Sequence, residues 1–265
     1  MNFLHPLAVI LGTMAVILLS LIASLYIKQR KMLYYPQPLS RSSPHLLGME
    51  VFEMTFQRNG IQLHGWLINP QKENLIIYYG GNGEEVSYNL ESFRRFEDYA
   101  VLLMNYRGYG ESQGSPSEEH LVGDALALFD EMRKRYPSII LFGRSLGTGI
   151  AVQVAGKRAV HSLILVTPFD SVVAVGQKLF PFAPVSLLAK DRYDSISACG
   201  GVTSPALFLL AGMDEIIPIR HGINLADHWE GERQVVTIEG AMHNTIGNYP
   251  EYWESIVRFL SDSGK

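Results

Sequence analysis

The polarity of the chain changes sharply near residue 28. Residues 7–27 are uncharged and consist mainly of Leu, Ile, Val and Ala, and a helix over this stretch would span about 30 Å, the thickness of the hydrocarbon layer of a bilayer. The stretch has no polar face to present to water, and no lysine or arginine precedes it as in a cleaved signal peptide. We therefore predict an N-terminal membrane anchor with its basic flank over residues 1–31.

Beyond the anchor, the pattern is first that of a linker and then that of a β-hairpin. Residues 36–48 contain three prolines and three serines, which is typical of a loop, and residues 32–48 are predicted to form a tether. Residues 50–56 and 61–68 then alternate between apolar and polar side chains, with Arg58-Asn59-Gly60 between them. This alternation predicts an antiparallel hairpin.

The rest of the chain has short apolar runs between amphipathic stretches. The runs cover residues 75–79, 101–104, 139–142, 163–166, 206–210 and 235–238. Strands buried on both faces have this composition, so we predict an α/β fold over residues 49–265, with a mostly parallel central sheet and helices on both of its faces. The best-marked helix is predicted to begin at Ser115-Pro116-Ser117-Glu118, a capping-box pattern with Pro116 at the first helical position.

Charge and composition exclude some classes of function. Without the three basic residues that follow the anchor, the chain has 19 basic and 26 acidic residues, a net charge of −7, which argues against nucleic-acid binding. Cys199 is the only cysteine, so the chain can form neither an intrachain disulfide nor a cysteine-based metal site. The eight histidines lack metal-site spacing. No metal and no cofactor are predicted.

The residues that flank the anchor predict its orientation. Lys28, Arg30 and Lys31 follow the apolar stretch directly, and the positive-inside rule then predicts that the domain after the anchor lies in the cytoplasm. Tyr26, Tyr34 and Tyr35 are predicted to lie in an aromatic belt at the membrane interface.

A nucleophile elbow is predicted at Gly143-Arg144-Ser145-Leu146-Gly147. This segment joins an apolar, β-branched run to a helix-forming one, and the strand-turn-helix context is what a Gly-x-Ser-x-Gly elbow requires. Glycines two positions before and after the serine avoid a collision in the strained turn. Ser145 is therefore the candidate nucleophile, and the backbone N–H of Leu146 is a candidate oxyanion donor.

A serine hydroxyl needs a general base and an orienting acid to act as a nucleophile. Asp214 and His243 each follow a predicted strand, and the carboxyl ends of parallel strands meet at the edge of the sheet where active sites lie. The chain order Ser145, Asp214, His243 is that of an α/β-hydrolase triad. Glu215 and Glu239 remain alternatives for the acid.

Several motifs together resemble the Bem46 branch of the α/β-hydrolase superfamily. They are the segment 106–116, the elbow, the loop 212–218 and Met242-His243-Asn244, and the similarity runs from about residue 33 to the C-terminus. The resemblance implies an α/β-hydrolase fold with Ser145 as nucleophile, Asp214 as acid and His243 as base. It also implies that many relatives are membrane-tethered, and that some are thioesterases that remove palmitate from proteins.

One position departs from the pattern of that branch. Its members usually read His-Gly-Asn-Ala after the third strand, whereas this chain reads Gly80-Gly81-Asn82-Gly83. The second oxyanion donor, assigned to the backbone N–H of Asn82, does not depend on the missing histidine side chain. The rigidity of the glycine-rich loop is the property that the departure puts in question.

These observations predict a membrane-anchored serine hydrolase of apolar esters or acyl thioesters. A short cap-like segment is expected near residues 171–204, and its apolar part is either an ordinary helix-packing surface or the wall of an acyl pocket. The expected partners are a small-molecule or lipid-like substrate and the membrane, with no nucleic acid. The alternatives are a serine peptidase of the prolyl-oligopeptidase type and a catalytically decayed scaffold. The sequence does not determine the oligomeric state.

Overall fold

The computed structural model describes residues 4–39 and 50–263 and contains an eight-stranded sheet. The strand order is β1-β2-β4-β3-β5-β6-β7-β8, in which β1 and β2 are antiparallel members and β3 to β8 are mutually parallel. The strands are β1 Val51–Arg58, β2 Ile61–Ile68, β3 Asn74–Tyr79, β4 Ala100–Met104, β5 Ser138–Arg144, β6 Ser162–Val166, β7 Ala206–Ala211 and β8 Arg233–Ile238.

Helices cover both faces of this sheet. They are α1 Leu4–Leu33, α2 Leu90–Phe93, α3 Glu118–Arg133, α4 Leu146–Ala155, α5 Val172–Leu179, α6 Val185–Leu188, α7 Ser195–Cys199, α8 Arg220–Asp227 and α9 Pro250–Ser263, with 3-10 turns at Val86–Asn89 and Ile246–Asn248. One hydrophobic core lies between the sheet and α3, α4 and α8, and a second lies between the sheet and α2 and α9. The α/β fold class predicted from the short apolar runs is confirmed.

The predicted hairpin is present and turns on two residues. β1 pairs with β2 from Val51 opposite Ile68 to Arg58 opposite Ile61. Asn59 and Gly60 both have positive φ angles, 51° and 73°, which is the conformation that favours Asn-Gly in tight hairpins. Arg58 therefore belongs to the strand and not to the turn.

Helix α3 begins two residues later than the sequence pattern predicted. Ser117 is the N-cap, with extended backbone angles, and its side chain accepts a hydrogen bond from the backbone N–H of His120. The prediction that placed Pro116 at the first helical position is wrong, because Ser117 and not Ser115 caps the helix. The Glu118 carboxylate accepts from the backbone N–H groups of Arg192 and Tyr193 and so joins α3 to the chain that follows α6.

Helix α1 is long and apolar enough to cross a membrane. Its segment Leu7–Leu33 contains a stretch of 18 residues with a mean hydropathy of 2.5, and no residue of that stretch is buried within the protein. By length and composition, a signal sequence would pass the same test.

The segment after α1 packs against the domain. Tyr34 is 3% exposed, and its hydroxyl lies 3.0 Å from that of Tyr193. The prediction that Tyr34 lies at a membrane interface is therefore wrong: its ring fills the hydrophobic core. The carbonyl of Gln37 accepts from the backbone N–H of Gly110 at 2.8 Å. Residues 32–39 of the predicted tether are thus held to the domain, and residues 40–48 lie outside the described residues.

Candidate active site

Ser145 lies in a sharp turn between β5 and α4. Its φ and ψ angles are 51° and −117°, a region that non-glycine residues rarely occupy and that functional sites retain. A Cβ added at Gly143 would lie 2.6 Å from the carbonyl oxygen of Gly147, and one added at Gly147 would lie 1.9 Å from the carbonyl oxygen of Tyr79. Both glycines are therefore required by close backbone approach.

The structure brings Ser145, His243 and Asp214 together. His243 Nε2 lies 3.0 Å from Ser145 Oγ, and His243 Nδ1 lies 2.8 Å from Asp214 Oδ2. A neutral imidazole that carries its proton on Nδ1 donates to Asp214 and accepts from the serine hydroxyl through Nε2. The chain of hydrogen bonds has the geometry required for general-base activation of a serine.

The Asp214 carboxylate is held in place by the loop that follows β7. Its Oδ1 accepts from the backbone N–H groups of Ile216 and Ile217 at 2.9 and 2.7 Å, which leaves Oδ2 directed at the imidazole. The side chains of Asp214 and His243 are only 2% and 5% exposed. Of the two alternative acids, Glu215 accepts from the backbone N–H of His243 and not from its ring, and Glu239 is exposed.

The loop after β3 forms the other side of the site. Leu146, the first residue of α4, and Asn82 both line the cavity at Ser145. The Asn82 carbonyl accepts from the Tyr109 hydroxyl at 2.5 Å and from the backbone N–H of Tyr35 at 2.9 Å, and its side-chain amide donates to the Leu33 carbonyl at 2.9 Å. Asn82 is thus fixed through both its backbone and its side chain.

Glu84 holds the glycine-rich loop from within. Its Oε2 accepts from the backbone N–H of Gly81 at 3.0 Å and from Arg144 Nη1 at 2.7 Å. Its Oε1 accepts from the Tyr78 hydroxyl at 2.5 Å. A Cβ added at Gly80 would lie 3.2 Å from Glu84 Oε1, so the carboxylate fills the space beside the position at which the family resemblance led us to expect histidine. Glu84 supplies the rigidity that the glycine-rich sequence called into question.

The ionisable groups around this loop are held in one protonation state. Burial lowers the pKa of Arg144, but the charge and hydrogen bond of Glu84, together with the nearby Tyr78 and Tyr252, outweigh it, so the net pKa is raised and the guanidinium stays charged. Burial raises the pKa of Tyr78 and of Tyr106 well above the ordinary tyrosine value, and the charge of Glu84 adds to both shifts. Burial also raises the pKa of Tyr109. These hydroxyls therefore remain neutral hydrogen-bond donors at physiological pH.

A cavity of about 790 Å³ opens beside Ser145 and His243. Its volume is that of a pocket for a small organic ligand. Helices α1, α5 and α6 each contribute apolar side chains to its wall. Among the described residues that line it, the carboxylates are Glu84 and Asp191, which pair with Arg144 and Arg30 respectively.

A possible set of metal ligands lies elsewhere on the sheet. Ligand atoms of Glu53, His64 and Glu111 lie within 4.8 Å of one another, but none of the three lines the cavity. The two carboxylates are 60% and 58% exposed, and His64 Nε2 lies 2.8 Å from Glu53 Oε1. This arrangement is that of a buried histidine hydrogen-bonded to an exposed glutamate.

Comparison with known proteins agrees with the fold. Residues 71–190 match the family described as serine aminopeptidase, S33. The chain is 32% identical over 191 residues to alpha/beta hydrolase domain-containing protein 17C of Homo sapiens, with 71% of this chain and 54% of that protein aligned. The chain belongs to the α/β-hydrolase superfamily. It spans just over half the length of that human relative.

The chain is also similar to a mycobacterial protein in sequence and to two solved structures in fold. The α/β-hydrolase chain is 29% identical over 247 residues to an uncharacterized protein of Mycobacterium tuberculosis, with 89% of this chain and 87% of that protein aligned. It superimposes on a Pyrococcus furiosus esterase with a TM-score of 0.71 at 18% identity, covering 88% and 98% of the two chains. It superimposes on an α/β-hydrolase of Vibrio vulnificus with a TM-score of 0.68 at 21% identity, which covers 83% of this chain and 86% of that chain. The family and the fold together support a hydrolase.

Sequence reasoning on this α/β-hydrolase missed Glu84, Arg144, Tyr106 and Tyr109 as supports of the site. Arg144 occupies a variable position of the elbow motif, and Tyr109 lies in the segment 106–116 that carried the family resemblance. The Tyr106 hydroxyl donates to the Gly80 carbonyl at 2.7 Å. The one local signal was the position of Glu84, an acidic residue directly after the glycine-rich loop. Its hydrogen-bond partners could be identified only from the fold.

Proposed function

We propose that this protein is a serine hydrolase that cleaves carboxylic esters or acyl thioesters of apolar acyl groups. The observation that carries the proposal is the hydrogen-bonded chain Asp214, His243, Ser145 at the end of a cavity with apolar walls. Neutral apolar substrates suit this cavity because its described carboxylates and its arginine are already paired with each other or with Arg30.

The reaction proceeds through an acyl-enzyme. Ser145 Oγ forms a bond to the acyl carbonyl carbon while His243 Nε2 takes the hydroxyl proton, and the imidazolium then gives that proton to the leaving alcohol or thiol as its bond to the carbonyl breaks. Asp214 orients the imidazole and stabilises its charged form. The backbone N–H groups of Leu146 and Asn82 receive the developing oxyanion. Water, activated by His243, then releases the acid.

The protein is proposed to act at a membrane, with α1 as a single-pass anchor. The most apolar part of the span Leu7–Leu33 is not buried against the domain. Lys28 and Lys31 at its end favour a cytoplasmic catalytic domain under the positive-inside rule. The third basic residue of that flank, Arg30, pairs with Asp191 of the domain.

A serine peptidase is the second candidate, because the family that matches residues 71–190 is described as an aminopeptidase. Recognition of a free amino terminus requires an available carboxylate. Both carboxylates among the described cavity residues are engaged with arginines. This pairing favours an acyl ester or thioester over a peptide with a charged amino terminus.

Hydrolysis of p-nitrophenyl esters of increasing acyl length by the full-length protein in detergent tests the proposal. The wild-type protein is expected to show a rate with an optimum in acyl length, and Ser145→Ala is expected to lose that rate while it remains folded. Aminoacyl p-nitroanilides, measured in parallel, test the peptidase. Equal rates of p-nitrophenyl ester hydrolysis by the wild-type and Ser145→Ala proteins would contradict the proposed function. They would favour a catalytically decayed scaffold.

A further inference from the structure

The last turns of α1 form one wall of the cavity at Ser145. The α1 residues that line it recur at spacings of three and four, and so lie on one face of the helix. They are Ile22, Leu25, Tyr26, Gln29, Met32 and Leu33. The facing wall is formed by α5, α6 and the turn between them, including Val175 and Ala183. The cavity is therefore closed on one side by the predicted membrane anchor itself.

Specific polar contacts fix α1 in this position. Arg30 Nε and Nη2 donate to the two carboxylate oxygens of Asp191 at 2.8 and 3.1 Å. The Gln29 side chain donates to the Leu188 carbonyl at 3.2 Å and accepts from the backbone N–H of Lys190 at 2.7 Å. A paired, planar guanidinium and a side-chain amide that uses both its donor and its acceptor define one orientation of the helix.

The cavity reaches the level of the hydrocarbon layer. Lys28 is the first lysine, arginine, aspartate or glutamate of the chain and marks the membrane surface. Ile22 precedes it by six residues, which at 1.5 Å per residue places it about 9 Å deeper. On the facing segment 172–188, Leu179, Phe182 and Leu187 are 62%, 46% and 81% exposed. Exposed apolar side chains around a pocket beside a membrane helix are suited to contact with lipid.

We propose that the space between α1 and the segment 172–188 is a binding site for a long acyl chain that enters from the bilayer. This inference rests on the proposed hydrolase function and adds a specificity-determining role for α1, whose cavity-lining face contacts the acyl chain. The acyl chain lies along α1 while its carbonyl reaches Ser145. The anchor helix therefore determines acyl-chain specificity in addition to attaching the protein to the membrane.

A pair of tryptophan substitutions on α1 tests this role in the full-length protein in phosphatidylcholine vesicles. Ile22 lines the cavity, whereas Ile27 is 73% exposed and faces away from it. Ile22→Trp is expected to lower kcat/KM for p-nitrophenyl palmitate about tenfold, since it denies burial to about two methylenes, and to leave p-nitrophenyl butyrate within about twofold. Ile27→Trp is the matched control and should leave both esters unchanged. Equal effects of the two variants, or equal loss of both esters in Ile22→Trp, would overturn the proposal.

Photocrosslinking provides a readout that does not need hydrolysis. A palmitic acid analogue with a diazirine on its chain is expected to label Val175 or Ala183 in the wild-type protein and in Ile27→Trp, and not in Ile22→Trp. Labelling of the cavity without any Ser145-dependent hydrolysis would support the acyl-binding site and refute the proposed hydrolase function. Hydrolysis without labelling of the cavity would refute the acyl site and leave the hydrolase standing.

Discussion

Removal of the Glu84 carboxylate is expected to weaken both the fold and the oxyanion site. Glu84→Ala would leave Arg144 without its ion-pair partner and the backbone N–H of Gly81 without its acceptor. The side chains of Glu84 and Arg144 are 11% and 24% exposed. Breaking a fully buried ion pair costs about 3–5 kcal/mol, and since water reaches part of this pair we expect a loss of about 2 kcal/mol.

The effect of Glu84→Ala on kcat depends on the other contacts that hold the loop after β3. Complete loss of one oxyanion donor lowers turnover by about 10²- to 10³-fold. Asn82 keeps its contacts with Tyr109 and Leu33 in the variant, so we expect a decrease in kcat of about tenfold. KM should change little, because an oxyanion donor acts mainly in the transition state.

The assay is hydrolysis of a p-nitrophenyl ester combined with urea unfolding of the same preparations. Glu84→Gln keeps an acceptor oxygen for the Gly81 N–H. Its losses in kcat and in the free energy of unfolding should therefore be smaller than those of Glu84→Ala. Glu91→Ala is the control, since Glu91 pairs with Arg94 at the exposed surface, where such pairs contribute less than about 1 kcal/mol. A Glu84→Ala protein with wild-type kcat would refute the argument that this carboxylate positions the oxyanion loop.

Three further predictions test the elbow, the triad and the buried tyrosines. Gly147→Ala should prevent folding or destabilise by more than about 4 kcal/mol in thermal unfolding, because its Cβ would lie 1.9 Å from the Tyr79 carbonyl oxygen. Asp214→Asn should lower kcat about 10³- to 10⁴-fold with unchanged circular dichroism, because an amide no longer favours the required imidazole tautomer. Burial raises the pKa of Tyr106 and Tyr109 in the folded protein, so their contribution to the free energy of unfolding should be constant below about pH 10 and fall above it by about 1.4 kcal/mol per pH unit for each tyrosine. Tyr109→Phe should reduce that slope in urea titrations between pH 9 and 11.

The fold could be predicted from sequence because its main signals are local. The six apolar runs correspond to strands β3 to β8, and Asn59-Gly60 marks the hairpin turn. The three residues predicted as a triad lie within hydrogen-bonding distance because each follows a strand that ends at the same edge of the sheet.

Contacts between distant segments could not be predicted in this way. Tyr34 resembled an interfacial residue because only its neighbours in sequence were visible, whereas its partner Tyr193 lies 159 residues further along the chain. The pairing of Arg30 with Asp191 was missed for the same reason, because the two residues are far apart in the sequence. A basic residue after an apolar helix is consistent with a membrane flank and with an ion pair, and local pattern does not distinguish the two.

The central claim is that Ser145 is a nucleophile activated by His243. Mass spectrometry of the full-length protein after reaction with a fluorophosphonate tests it most directly. We predict one adduct per chain on Ser145, none in Ser145→Ala, and labelling at least about 100-fold slower in His243→Ala, which lacks the general base. A folded wild-type protein that acquires no adduct, or equal labelling of wild type and Ser145→Ala, would contradict the account.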